Sequence, residues 1–266
     1  MKPFVNGVLD HLGAVPGLGP ALRTAHGRHF VRSPRYRRSF HGIYPDFALA
    51  LQAVPPGRAK STDEAEAARR MMDDGDAMFP NDYPMLFWLS RCVDRPGTVF
   101  DWGGYAGRAR VAFSRRMRFP DGLEWVVNDV PAVVELARDL RRDAGMADVS
   151  FTSSLDRMDG ADVLFASGSM QFIANPWAPL ARLSRRPRHA LVDKVPAYDM
   201  PSAVTLQNMG PATVPNHLFN RDDFVAAFQR LGYRLVDAWT SPGIGCSIPF
   251  EQAHSIPAYS GFYFRA

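Results

Sequence analysis

From residue 97 onward, short runs of β-branched and aromatic residues alternate with stretches whose apolar positions recur every three to four residues. GTVFDWGG (97–104) reads as a strand running into glycines, and RARVAFSRRM (108–117) as the helix behind it. LEWVVND (123–129) is the next strand, and PAVVELARDLRRDA (131–144) a helix opened by proline. DVSFTSS (148–154) and ADVLFASGS (161–169) add two strands, the second followed by a helix from about Pro176, and RHALVDK (188–194) is a fifth. NRDDFVAAFQRLGYRLVDAW (220–239) predicts a helix capped by Asn220, a stop at Gly232 and a strand, and YSGFYFRA (259–266) is a closing aromatic strand. Strands spaced by crossover helices imply a parallel sheet covered on both faces, and the ending suits an antiparallel strand inserted in it.

Residues 1–95 have a different texture. STDEAEAARRMMDD (61–74) predicts a helix with Ser61 or Thr62 as cap, and YPMLFWLSRC (83–92) a buried helix of about three turns. No strand alternation interrupts this region, so it is expected to be a helical cap or oligomerisation element, with an α/β domain over 96–266. The segment 195–217, with few charges and many small, apolar and amide groups, is expected to be a long loop. A loop of that length is usually functional, here as one wall for an acceptor, with Gln207 and Asn208 as polar contacts.

Composition narrows the class. Apolar residues form 46% and charged residues 22% of the 266, the profile of a soluble enzyme rather than a disordered chain. Cys92 and Cys246 lie in no metal-ligand spacing, no apolar run reaches membrane-spanning length, and the first residues lack a secretory apolar stretch. A cytoplasmic setting is expected, without a membrane span. The net charge of +4 is concentrated in Arg23, Arg28, Arg32, Arg35, Arg37 and Arg38. No aromatic–basic interleaving follows them, and neither NPPY nor Pro-Cys occurs, so a solvated or oligomer-paired arm is favoured over a nucleic-acid surface.

The chemistry concentrates at the turn after the first parallel strand, where such folds bind ligands. Gly103, Gly104 and Gly107 allow tight bending before the helix, and Asp101 precedes them. A dinucleotide turn would need glycine where Trp102 stands, and a carboxylate facing a pyrophosphate is electrostatically unfavourable. Beside a sulfonium and an α-amino group it is favourable, so S-adenosylmethionine is preferred over NAD. Asp129 ends the second strand 28 positions later and suits ribose hydroxyls.

The stretches VFDWGGYAG, WVVNDVP and DVLFASGSMQFI resemble the first, second and fourth strand motifs of class I S-adenosylmethionine-dependent methyltransferases. With SFHGIYPDFALA and YSGFYF, the chain resembles a group of bacterial methyltransferases, some linked to surface-polysaccharide loci. The resemblance implies an α/β, Rossmann-like, mostly parallel seven-stranded sheet with its last strand antiparallel, and a helical N-terminal region. It places Asp101, Gly103, Gly104, Tyr105 and Gly107 at the methionine moiety, Asp129 at the ribose, Ser153 and Ser154 at the adenine edge, and Ser167, Gly168 and Gln171 beside the transferable methyl group. Tyr105 departs from the family, many members having glycine there.

Methyl transfer needs alignment and desolvation, and a hydroxyl acceptor also benefits from a base. His217 is the first candidate, its expected loop being comparable to that of the catalytic histidine in related plant-type O-methyltransferases. His254 and His41 follow, and Asp193 could act as base or orienting partner. The expected acceptor is a small molecule or sugar, and a homo-oligomer through the N-terminal region is compatible. An NAD(P)-dependent oxidoreductase and a cofactor-binding protein without turnover are the competing classes. Trp102 and the absence of Tyr-x-x-x-Lys weigh against the oxidoreductase.

Overall fold

A computed structural model describes residues 18–32, 39–61, 63, 77–141 and 148–266. Seven strands form the central sheet: β2 (Gly97–Trp102), β3 (Leu123–Asn128), β4 (Val149–Thr152), β5 (Val163–Ser167), β6 (His189–Val195), β10 (Arg234–Ser241) and β11 (Tyr259–Arg265). Their order is β10-β11-β6-β5-β2-β3-β4. The pairs among β4, β3, β2, β5 and β6 are parallel, while β11 runs antiparallel between β6 and β10. The inserted closing strand is where the sequence places it.

Helices cover both faces. Packed across one face are α6 (Trp177–Ala181) and α7 (Arg221–Arg230): Phe224 and Phe228 meet Phe262 and Phe264 of β11, and Trp177 packs on Phe224 and Phe228. Asn220 caps α7 by accepting from Asp223 N–H, and Gly232 ends the segment at φ +87°. On the other face, Met85 and Leu89 of α3 (Tyr83–Cys92) and Phe113 of α4 (Arg108–Ser114) close over Val99, Trp125 and Phe165. Between β3 and β4 runs α5 (Pro131–Arg141), with Val133, Val134 and Ala137 buried. No helix among the described residues is long and apolar enough to cross a membrane.

Two expectations are corrected. The N-terminal region contains a strand, β1 (Ser39–Tyr44), as well as α1 (Gly19–Arg32) and α2 (Phe47–Gln52). The segment 195–217 is not a loop: it holds β7 (Ala197–Tyr198), β8 (Ala203–Asn208) and most of β9 (Thr213–Asn220). These strands form a second sheet in the order β1-β8-β9-β7. The hairpin inserted between β6 and α7 thus takes the N-terminal strand as its neighbour, and residues 1–95 are not an all-helical cap. The helix expected over 61–74 falls almost wholly outside the described residues, as do Arg35, Arg37 and Arg38. Arg23 pairs with Glu251 and lies over the Phe250 ring, so one member of the basic arm is held within the chain.

Candidate active site at the carboxyl ends of the parallel strands

The turn leaving β2 is fixed from behind by β3. Gly103 N–H and Gly104 N–H both donate to Asn128 C=O, at 2.8 and 3.2 Å. Tyr105 N–H donates to Asp129 Oδ2 at 3.0 Å, and Val130 N–H to the other carboxylate oxygen at 2.9 Å. Asp129 therefore braces the turn from the end of β3. Burial pushes its carboxyl up to about 6, against the pull of those two N–H groups. Asn128 reaches the other way, donating to Thr152 and Ser154 C=O and tying β3 to the end of β4. Ser154 also takes Asp156 N–H on its hydroxyl, whereas Ser153 is exposed.

Asp101 is 2% exposed, and its one described hydrogen bond comes from the Trp125 indole N–H at 3.0 Å. Burial pushes its carboxyl up to about 7, opposed by that indole bond and assisted by the charge of Asp129. Gly104 is glycine for a measurable reason: a Cβ there would lie 2.4 Å from the Asp101 carboxyl carbon. Gly103, at φ +75°, has no room either, since its Cβ would meet that of Ser169 at 2.4 Å. Ser169 in turn donates its hydroxyl to Trp102 C=O, joining the exits of β2 and β5. Tyr105 adopts φ +54°, a left-handed conformation that accounts for glycine being acceptable there. A cleft in front of the turn is lined by Asp82, Asp101, Gly103, Gly104, Tyr105, Arg108 and Ser167.

Gly104→Ala is expected to displace the Asp101 carboxylate without unfolding the chain, because the clash is with a side chain and the backbone there is unstrained. Calorimetry with S-adenosylhomocysteine should then show affinity reduced by about tenfold or more, a lost charge-assisted hydrogen bond being of that size. Unchanged affinity would detach Asp101 from the ligand site.

An ion cluster that sequence reading missed stands beside this cleft. Asp82, 5% exposed, accepts from Lys194 Nζ at 2.6 Å on one oxygen, and from Arg108 at 3.1 Å and Phe79 N–H at 2.9 Å on the other. Lys194 reaches it through a β-bulge: Val192 and Val195 of β6 pair with Phe262 and Ser260, so Asp193 and Lys194 together oppose Gly261. Lys194 there takes φ +56°, a conformation uncommon outside glycine. Nothing in the string VDKV announces the bulge.

The remaining candidates separate. Gly168, at φ +73°, and the buried Gln171 follow β5, and Gln171 Oε1 has no hydrogen-bond partner among the described residues. Asp193 is 1% exposed, and one oxygen accepts from the Trp239 indole and the Ser241 hydroxyl at 3.0 and 2.7 Å. The indole crosses Gly261, where any Cβ would overlap it. Asp193 thereby joins β6 to β10, and its other oxygen has no partner among the described residues.

His217 lies on β9 rather than in a loop. Its Nε2 donates to Ala174 C=O at 3.2 Å, and its ring stacks on Phe219. Gln207 and Asn208, on β8, are occupied within the second sheet: Gln207 accepts from Asn216, while Asn208 donates to Phe30 C=O and accepts from Gly210 N–H. His254 contacts the Tyr198 hydroxyl at 3.0 Å, and His41 faces His26 at 3.1 Å. The structure does not gather the three histidines at one point.

No family model and no curated protein matches the sequence. Solved structures do match the fold. One is the 1,6-didemethyltoxoflavin-N1-methyltransferase of Burkholderia thailandensis, with 1,6-didemethyltoxoflavin and S-adenosylhomocysteine bound: 18% identity, 77% of this chain and 84% of that one covered, TM-score 0.50. Another is the [4+2]-cyclase SpnF: 12% identity, 86% and 98% covered, TM-score 0.50. At these identities the likeness is one of fold. Together with the strand order, the antiparallel inserted strand and the glycine turn after β2, it gives this chain the α/β fold of class I S-adenosylmethionine-dependent methyltransferases.

Proposed function

We propose that this protein binds S-adenosylmethionine at the 101–107 turn and transfers its methyl group to a small-molecule or sugar acceptor. The observation that carries the reading is Asp101: a buried carboxyl with no cation paired to it among the described residues, opening on a cleft. A buried acid so placed is suited to a cationic ligand. The cradle fits in a second respect, Gly104 leaving the space before that carboxylate clear. When bound, the sulfonium supplies an electrophilic methyl group. Asp101 would hold the α-amino group, Arg108 at the start of α4 lies on the same cleft for the carboxylate, and Asp129 keeps the turn in place beside the ribose. Ser153 and Ser154 border the adenine side, and Ser167, Gly168 and Gln171 line the acceptor side.

O-methylation with His217 as base is supported by its burial, which lowers the ring's proton affinity below the ordinary histidine value. Its ring meets the Ala174 carbonyl through Nε2, and the Ile173 carbonyl also favours the protonated ring, so both backbone groups would hold the imidazolium formed on proton uptake. His254 and Asp193 are the other candidates, each already tied to neighbours. A homo-oligomer through the N-terminal region is supported by Phe79, Tyr83 and Phe87, which expose about half their surface along α3 and the turn before it.

Thermal shift with S-adenosylmethionine, S-adenosylhomocysteine and NAD tests the cofactor; stabilisation by NAD alone overturns the reading. His217→Ala should lower turnover by about a hundredfold, the usual scale of a general base, with cofactor affinity retained. Undiminished turnover would remove His217 from the chemistry. Cofactor binding with no turnover on any acceptor would favour the second reading, a fold member with another role.

A further inference from the structure

The opposite end of the central sheet carries a second cavity, at the amino ends of the parallel strands. It has a volume of about 330 Å³ and is lined by five arginines against two carboxylates, Asp94 and Asp162. That volume falls at the small end of ligand pockets, which span roughly 300–1,000 Å³.

The arrangement of charge is unusual for a mere surface. Arg234 of β10 pairs in register with Arg265 of β11, and Arg265 pairs in turn with His189 of β6. In an antiparallel pair, directly opposed like charges destabilise the sheet. Arg188 adjoins this row, and Arg95 enters from the segment before β2. Arg95, Arg188, Arg234 and Arg265 make no ion pair with any described residue. Asp162 carries charge into the cavity but forms no ion pair with these arginines, and one of its oxygens takes Thr98 N–H at 2.9 Å. Polar groups sit among the arginines: His189 Nδ1 and the Tyr263 hydroxyl lie 2.8 Å apart, both largely buried. The local field acts on this histidine, whose proton affinity is driven down to about 4 by burial first and then by Arg188 and Arg265.

We infer that this cavity is an anion site for a small phosphorylated metabolite carrying at least two phosphate groups, separate from the cofactor cleft. The excess of three positive charges matches a bisphosphate, each phosphate contributing roughly −1.5 to −2 when singly esterified. Guanidinium forks from adjoining strands suit several phosphate oxygens at once. The concave shape favours a compact molecule over a nucleic-acid strand, which would need an extended basic track.

Calorimetry with inorganic pyrophosphate at physiological ionic strength tests the inference. The intact chain should show one saturable site. Arg234→Gln with Arg265→Gln should weaken it by about tenfold or more, the loss of charge-assisted hydrogen bonds. The same double variant should melt no lower than the parent without ligand, since a like-charge pair has been removed. Asp101→Asn should leave pyrophosphate binding unchanged, which distinguishes this site from the cofactor cleft. Absence of saturable binding, equal binding by the double variant, or loss of binding in Asp101→Asn would each overturn the inference. So would binding confined to RNA or DNA.

Discussion

Replacing Asp101 by asparagine is expected to weaken S-adenosylmethionine binding by about a hundredfold and, at pH 8, to stabilise the unliganded protein. Both effects come from one buried carboxyl. Its proton affinity is raised from 3.8 to about 7 in the fold, chiefly by burial. A group whose pKa is raised on folding contributes stability that is complete below its unfolded value and is lost as pH rises through the folded one. Stability of the free protein should accordingly fall between about pH 4 and pH 7, by roughly 4 kcal/mol if Asp101 acted alone. Asparagine keeps an oxygen for the Trp125 indole and carries no charge, so the variant should melt several degrees higher at pH 8 and show a flatter pH profile. The cofactor's ammonium and sulfonium favour the ionised acid, so parent affinity should increase with pH through about 7 and binding below that should release a proton. A hundredfold loss corresponds to about 2.7 kcal/mol, within the range for hydrogen bonds to charged groups. Calorimetry in buffers of different ionisation heat measures both quantities. If the asparagine variant binds as the parent does, Asp101 is only a structural acid; if it melts lower at pH 8, burial is not what raises the carboxyl's proton affinity.

The central sheet was readable because its buried strands are written in apolar residues: WVV, VLFA and ALV are buried along their length, and Asn220 and Gly232 bracket α7. The second sheet was not. Its inward positions include Thr205, Asn208, Thr213 and Asn216, all at most 1% exposed, so burial there does not coincide with hydrophobicity. Pro215 sits within β9 and lacks the ladder N–H, further disguising a strand as a loop. The strand Ser39–Tyr44 is completed only by β8, more than 150 residues away. A similar limit applied at the site. Asp101 and the glycines are local and could be found from spacing, whereas the Asp82–Lys194 pair depends on a bulge and on two distant segments meeting. Tyr105 could be recognised as a departure, but its left-handed backbone is set by the fold around it and not by the local sequence.

That hidden pair is the basis of the second large expectation: Asp82→Asn should cost about 3–5 kcal/mol of stability, the range for removing one partner of a buried ion pair. Side-chain exposure is 7% at Asp82, 14% at Lys194 and 28% at Arg108, so solvent can do little to replace the lost charge. Burial by itself would raise the Asp82 carboxyl's proton affinity. Lys194, through charge and hydrogen bond, then Phe79 N–H and Arg108, more than reverses this and holds it below the usual carboxylate value. For a lowered acid, the stabilisation is present above the unfolded pKa and disappears as pH falls through the folded one. The parent should therefore weaken in acid below about pH 4, and the asparagine variant should lose that part of the acid limb. Asp82 also connects the turn before α3 to the bulge of β6 and the start of α4, so its loss should loosen the cleft as well as the fold. Lys194→Met in the Asp82→Asn background should recover a large part of the stability, because the stranded ammonium goes with it. Denaturant melts of the parent, both single variants and the double variant measure the coupling. Strictly additive losses would mean that the short Lys194–Asp82 contact does not hold the site together.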